Sequence, residues 1–421
     1  MTKRYTLPNG LTVVVDPQHR APVVAIQVWV KVGSADETPD EIGLAHLHEH
    51  MLFKGTAKRG IGDIARSIEA SGGEINAWTS FDQTVYHVVI ASRHLRDGLD
   101  VLSDAVRSSR FDENELSSEI EVVCEEIKRS LDMPSRRASA ALFAHAFRVH
   151  PYGRPVIGYA ENVRSHTRAR VISFYQKHYC PSNMVLSVVG DFDEDQLEAL
   201  VHEYFGGDFG QRDRNQPTRP VEPAFSGCRV SLTQSEIKEA YLHLAFQIPG
   251  VEHPATAALD VLAMLVGQGD SSRLSIEVKR KRSLAKDVST WAWTPREPGL
   301  FAASIVCSAD QAKAAFAQTL AVLAAVKAAP VPIDELETVK SLIEAEAVYQ
   351  RETMQGLARK LGYYEAVGGG LEREAKYYES IAAVTAAQLQ AVAQEYLTFE
   401  RLVVSGLLPP ESDLTEAAIA E

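Results

Sequence analysis

Cysteine is scarce. The 421-residue chain has four, Cys124, Cys180, Cys228 and Cys307, and none forms a C-x-x-C pair. That spacing argues against a disulfide framework and against a cysteine zinc site. It suits free thiols in a reducing compartment. Positive charge is in deficit: 43 lysines and arginines face 56 aspartates and glutamates, leaving a net −13. An acidic surface argues against nucleic acid or an anionic membrane as the main partner. No apolar run reaches the roughly 18 residues of a membrane span. The first apolar stretch, residues 11–15, is too short for a signal-peptide core. These absences set the expectation of a cytoplasmic address. What remains is an ordinary globular composition, 45% hydrophobic and 24% charged, long enough for two or three domains at about 150 residues each.

The first fifty residues read strand, turn, strand, loop, helix. Asn9-Gly10 marks the first turn, residues 23–32 alternate as a half-buried strand, and a helix starts near Ile42 and stops at Gly55. Residues 74–90 read as two strands joined near Phe81-Asp82, and long helical patterns follow from Leu95 to about Phe147. Residues 206–227 are rich in Gly, Pro and charge, as a linker is. The expected division is therefore a first domain over 1–208, a linker over 209–226 and a second domain over 227–421. The halves echo each other. Residues 25–34 match 239–250, residues 63–90 match 272–306, and Phe111-Asp112-Glu113-Asn114-Glu115-Leu116 matches Val331-Pro332-Ile333-Asp334-Glu335-Leu336. A unit of this length repeated twice is a duplication, and mixed runs of strands and helices favour an α+β class. Gly368-Gly369-Gly370 lacks the strand and basic residue of a phosphate loop and reads as a helix stop.

The sharpest feature is Gly43-Leu44-Ala45-His46-Leu47-His48-Glu49-His50-Met51, which contains H-x-x-E-H. On a helix, positions i and i+4 share a face, so His46 and His50 can aim ring nitrogens at one ion. Glu49 lies near that face. His48 projects to the opposite side. Two imidazoles and a carboxylate suit zinc, with a fourth position left for water. The pattern is the inverse-zincin signature. The third ligand is sought in the acidic helix over 113–128. There Leu116, Ile120, Val123 and Ile127 form the apolar stripe at about 100° per residue. Glu119 and Glu126, seven residues apart, flank that stripe, whereas Glu121 and Glu125 face solvent. Either flanking carboxylate could meet a cation, and a helix salt bridge is the plainer role for Glu119.

H-x-x-E-H with a glutamate at 126 resembles the pitrilysin/insulinase metallopeptidases, a family that includes the mitochondrial processing peptidase. The match continues through residues 50–56, 72–80, 150–155, 181–192 and 271–274. The resemblance implies that His46, His50 and Glu126 hold one zinc per chain. It implies that Glu49 is the general base on the metal's water and returns the proton to the leaving amine. Glu119 matches an additional acidic residue near the site. Asn76 and Ala77 match an edge strand that pairs with an extended peptide, a β-augmentation. The implied fold is α+β: two similar domains, each a mixed sheet packed with helices, forming one half of a clamshell chamber. The implied activity is zinc endopeptidase cleavage of oligopeptides or unfolded segments; a non-catalytic structural or peptide-binding subunit is the alternative.

One segment departs from the pattern. Family members carry an arginine and a tyrosine that contact the substrate carbonyl. Here the segment is Lys281-Arg282-Ser283-Leu284-Ala285-Lys286. Arg282 fits, but Lys286 stands where the tyrosine belongs, and a flexible point charge does not replace a directional phenol. Either Lys286 substitutes, or a homologous subunit supplies the Arg/Tyr pair. The second reading expects a processing-peptidase-like heterodimer, with a homodimer as the alternative.

Overall fold

The sheets explain why the strand sequences are apolar on both sides. In the computed structural model, which describes residues 2–207, 218–412 and 414–420, residues 209–217 of the expected linker lie outside the described residues. The first half runs β1 (Lys3–Thr6), β2 (Thr12–Pro17), β3 (Val23–Val30), α1 (Leu44–Met51), α2 (Asp63–Glu69), β4 (Glu74–Thr79) and β5 (Thr84–Ala91). It continues α3 (Leu95–Ser108), α4 (Glu113–Asp132), α5 (Pro134–Ala146), α6 (Ala160–Ser165), α7 (Arg168–His178), β6 (Met184–Gly190) and α8 (Glu194–Phe205). The second half runs β7 (Arg229–Gln234), β8 (Ala240–Ile248), α9 (Thr256–Gly267), a π-helical turn (Ser275–Arg280), β9 (Asp287–Trp293) and β10 (Gly299–Cys307). It ends α10 (Ala312–Ala328), α11 (Ile333–Tyr349), α12 (Met354–Ala366), α13 (Glu372–Ala383), α14 (Ala386–Tyr396), β11 (Val403–Leu408) and α15 (Glu416–Ala420).

The first sheet has the order β1-β2-β6-β3-β5-β4. Only β2 and β6 pair in parallel; the other neighbours are antiparallel. One face packs Val13, Val24, Ile26, Val28 and Val88 against α1, α3, α4, α7 and α8. The other face packs Val14, Ala25, Trp29, Val85 and Val185 against Met354, Ala358 and Leu361 of α12. Residues 23–30 form β3, but not the half-buried strand expected: with both faces covered it is buried on both sides and nearly continuously apolar, as doubly covered strands are. The Ser187 hydroxyl donates to the Ala358 carbonyl at 2.9 Å. The Trp29 indole lies directly on Gly362, where any side chain would collide with it.

The second sheet has the order β7-β11-β8-β10-β9, with β7 and β11 its one parallel pair. Its core face carries Leu242, Leu244, Phe246, Phe301 and Ile305 against α9, α10 and α14. Its other face takes α5, whose Ala138 carbonyl accepts from the Ser405 hydroxyl at 2.9 Å. The chain therefore forms two compact units that are not its sequential halves. The first comprises 1–128, 155–219 and 347–371; the second comprises 129–154, 220–346 and 372–421. Each half supplies the helices for one face of its sheet, and one helix from the other half covers the second face. Among the described residues, no single helix is long and apolar enough to cross a membrane.

Candidate metal centre

The site is built on a short helix that needs outside help to start. Gly43 caps α1 with φ +91° and no side-chain cap, a left-handed conformation that glycine tolerates. A carboxylate supplies the missing acceptor. Glu37, 5% exposed, accepts from the Gly43 N–H at 2.9 Å and the Ala45 N–H at 2.7 Å, satisfying donors that a helix start leaves open. His46 and His50 then sit one turn apart, their ring centroids separated by 4.8 Å. His48 turns into the core, its two nitrogens 2.7 and 2.9 Å from the carbonyls of Leu44 and Val171.

Leu116, Val123 and Ile127 bury one face of α4, and that anchoring presents Glu119 and Glu126 to α1. Glu126 Oε2 lies 3.9 Å from His46 Nε2 and 3.7 Å from His50 Nε2. One donor atom from each of these three residues lies within 4.8 Å of the others. A tetrahedral ion with bonds near 2.0 Å spaces its ligands by about 3.3 Å. The donor set, two imidazoles and one carboxylate, fits zinc in chemistry and needs only a small contraction. Glu119 does not join the three. Its Oε2 lies 3.1 Å from His50 Nδ1, and its Oε1 lies 2.5 Å from Lys54 Nζ. A ligand histidine is commonly oriented by such an acceptor on its second nitrogen.

The electrostatics match this division. Burial, with His50 alongside, pushes the His46 imidazole down to about 3, so it stays neutral and keeps a lone pair for an ion. Burial alone would push Glu119 up, but the contacts with His50 and Lys54 outweigh it and hold the carboxyl below its ordinary range. Glu49 moves the other way. Burial raises it, with Glu126 adding to the shift and Thr79 and His50 opposing it.

Asn76 and Ala77 lie on β4, which among the described residues pairs only with β5 and is the edge of the first sheet. The Ala77 N–H donates to Asn76 Oδ1 at 2.9 Å. Ala77 faces the α1 side of the sheet, while Trp78 packs edge-on against Trp29 on the α12 side. Arg282 belongs to the second unit. It is exposed there and donates to Glu277 Oε2 at 2.6 Å and to the Glu277 carbonyl at 3.0 Å. Lys286 pairs with Glu239. The sequence reading missed Glu37 and Lys54. Lys54 carries a local signal, one turn beyond His50; Glu37 carries none, because it caps the helix from a preceding loop.

Relatives share this framework. The family profile described as Insulinase (Peptidase family M16) matches residues 12–159, and the one described as Peptidase M16 inactive domain matches residues 165–343. A protein of Mycobacterium leprae named as an uncharacterized zinc protease is 31% identical over 395 residues, covering 94% of this chain and 89% of its own length. A probable mitochondrial-processing peptidase beta subunit of Arabidopsis thaliana is 25% identical, covering 97% and 78%. The crystal structure of a protease from Helicobacter pylori superposes with a TM-score of 0.91 at 26% identity, over 97% of this chain and all of that one. With matches in both halves and the H-x-x-E-H helix folded against α4, the chain belongs to the insulinase family of peptidases, family M16.

Proposed function

We propose that the chain is a zinc-dependent endopeptidase acting on oligopeptides or unfolded segments. The convergence of His46, His50 and Glu126, with Glu49 on the same helix, carries this reading. These three residues would hold the ion, which when bound supplies Lewis-acid polarisation at the scissile bond. Glu49 takes a proton from the attacking water onto a carboxylate oxygen and passes it to the leaving amine. A pKa raised by burial suits both directions of that transfer. Glu119 holds the His50 ring through Nδ1. The open edge of β4 receives the substrate backbone as an added strand, which selects extended peptides over folded proteins.

Arg282, which the resemblance matches to the substrate-carbonyl arginine, is bonded to Glu277 within the second unit. Lys286 is engaged by Glu239 within its own unit. That engagement supports the reading in which a homologous subunit supplies the Arg/Tyr pair, and the similarity to a processing-peptidase beta subunit points the same way. The test is hydrolysis of a quenched fluorescent peptide by the zinc-loaded chain, with Glu49→Gln as the blank. Turnover lost in Glu49→Gln with one zinc retained is the expected result; unchanged turnover would overturn the mechanism. Stoichiometric zinc and bound peptide without turnover, in the wild type alone, would favour the subunit that needs a partner.

A further inference from the structure

Arg219 ends the 155–219 segment of the first unit, and its side chain is only 5% exposed. Its guanidinium lies between two equally buried carboxylates, Asp36 at 5% and Asp82 at 4%. One terminal nitrogen donates to Asp36 Oδ1 at 2.9 Å and the other to Asp82 Oδ1 at 2.6 Å. Nε donates to the same Asp36 oxygen at 3.2 Å. A planar fork with donors on two sides can serve both acids at once.

The two acids belong to the segments that frame the site. Asp82 lies in the turn that joins β4 to β5. Asp36 lies in the loop that leads to α1, and its Oδ2 accepts from the Gly33 N–H at 3.0 Å. The same two segments are joined by backbone: the Ser34 N–H donates to the Ser80 carbonyl at 3.1 Å, and the Ala35 N–H to the Phe81 carbonyl at 2.9 Å. The next residue, Glu37, caps α1. A run of buried polar contacts therefore leads from Arg219 to the helix of His46, Glu49 and His50, and to the strand of Asn76 and Ala77.

We propose that Arg219 is a positioning residue that fixes α1 against the edge strand β4. Without the guanidinium, Asp36 and Asp82 lose the donor group that bridges them, and the loop is held less firmly against the turn. The proposal rests on the reading of β4 and α1 as substrate edge and catalytic helix.

The test compares wild type, Arg219→Ala and Arg219→Lys for zinc content, kcat and KM on the quenched peptide, and backbone amide exchange. Arg219→Ala is expected to keep one zinc per chain. Its kcat/KM falls about 10- to 100-fold, the scale of a small misplacement near reacting groups. Amides over 79–84 exchange at least about tenfold faster, while those of β2, β3 and β6 stay unchanged. Arg219→Lys, which keeps the charge and loses the fork, recovers only part of kcat/KM. Wild-type kcat/KM with wild-type exchange over 79–84 in Arg219→Ala would overturn the proposal. So would faster exchange spread evenly over the first unit. If Arg219→Ala does not fold, Asp82→Asn removes one arm only and is read in the same way. A zinc-loaded wild type that neither binds nor cleaves peptide sinks the peptidase reading instead, and the exchange pattern then decides the clamp alone.

Discussion

The two sheets follow one path through the same strand positions. Removing β1, the order β2-β6-β3-β5-β4 of the first matches β7-β11-β8-β10-β9 of the second, each with a single parallel pair at the same place. The helices correspond as well: α1 with α9, α3 with α10 and α4 with α11. At the site the copies part. Helix α1 carries His46, Glu49 and His50. Helix α9 has no histidine and buries ten of its twelve residues. Carrying the match of 111–116 with 331–336 forward places Val339, 6% exposed, opposite Glu119, 5% exposed. One framework thus stands with either a carboxylate or a valine at the same buried position. The fold does not need the acid, and the acid is tolerated because His50 and Lys54 meet it. Architecture and chemistry are separable here.

The largest expected effect tests that separation directly. Glu49→Gln should lower kcat by about 10³-fold, within the usual range for a general base, with the thermal midpoint and zinc content unchanged. A parallel loss of zinc would mean that Glu49 is structural. Next, Val339→Glu puts a carboxylate in the copy that lacks the histidine and lysine partners. It should destabilise the second unit by about 3 kcal/mol in denaturant unfolding; a neutral result would show that the two environments differ less than their residues suggest. Glu119→Gln keeps the shape but loosens the hold on His50, so zinc affinity, measured by competition with a chelator, should fall about 10- to 100-fold.

The smallest effect concerns the one acid left on α9. Asp260, bonded by the Tyr377 hydroxyl at 2.8 Å, is pushed up to about 7 by burial. Its folded pKa lies above its unfolded value of about 3.9. Its contribution to stability is therefore fully present below the unfolded value and lost as pH rises through about 7. Between pH 4 and pH 8 the wild type should lose more stability than Asp260→Asn. Parallel melting-temperature profiles for the two would remove Asp260 from the comparison.

The site was legible where it is local. His46, Glu49 and His50 lie within five residues, so helical spacing alone turns them to one face, and the apolar stripe of α4 limits the third ligand to Glu119 or Glu126. Spacing alone does not choose between them, because both flank the same stripe; the resemblance implied Glu126, and its Oε2 lies 3.9 and 3.7 Å from the two imidazole nitrogens. Asn76 and Ala77 fell on an edge strand as the resemblance implied. The duplicated order of elements was also legible, through matched segments such as 25–34 and 239–250. The interleaving of the units was not. Helices α5 and α12 each bury an apolar face, Ala138, Leu142 and Ala146 in one and Met354, Ala358 and Leu361 in the other, and nothing in such a spacing says which sheet it will cover. Glu37, Asp36, Asp82 and Arg219 escaped for a related reason: each acts through a partner distant in sequence or outside any repeating pattern.

The exchanged helices also bear on how the protein is made. The last strand of the first sheet ends at Gly190, but the helix that covers its second face ends at Ala366. Until that helix leaves the ribosome, Val14, Ala25, Trp29, Val85 and Val185 form an open apolar surface on a nascent chain. At usual elongation rates that interval is on the order of ten seconds or more. The first sheet is thus finished late, and its uncovered face is where a chaperone would find the growing polypeptide.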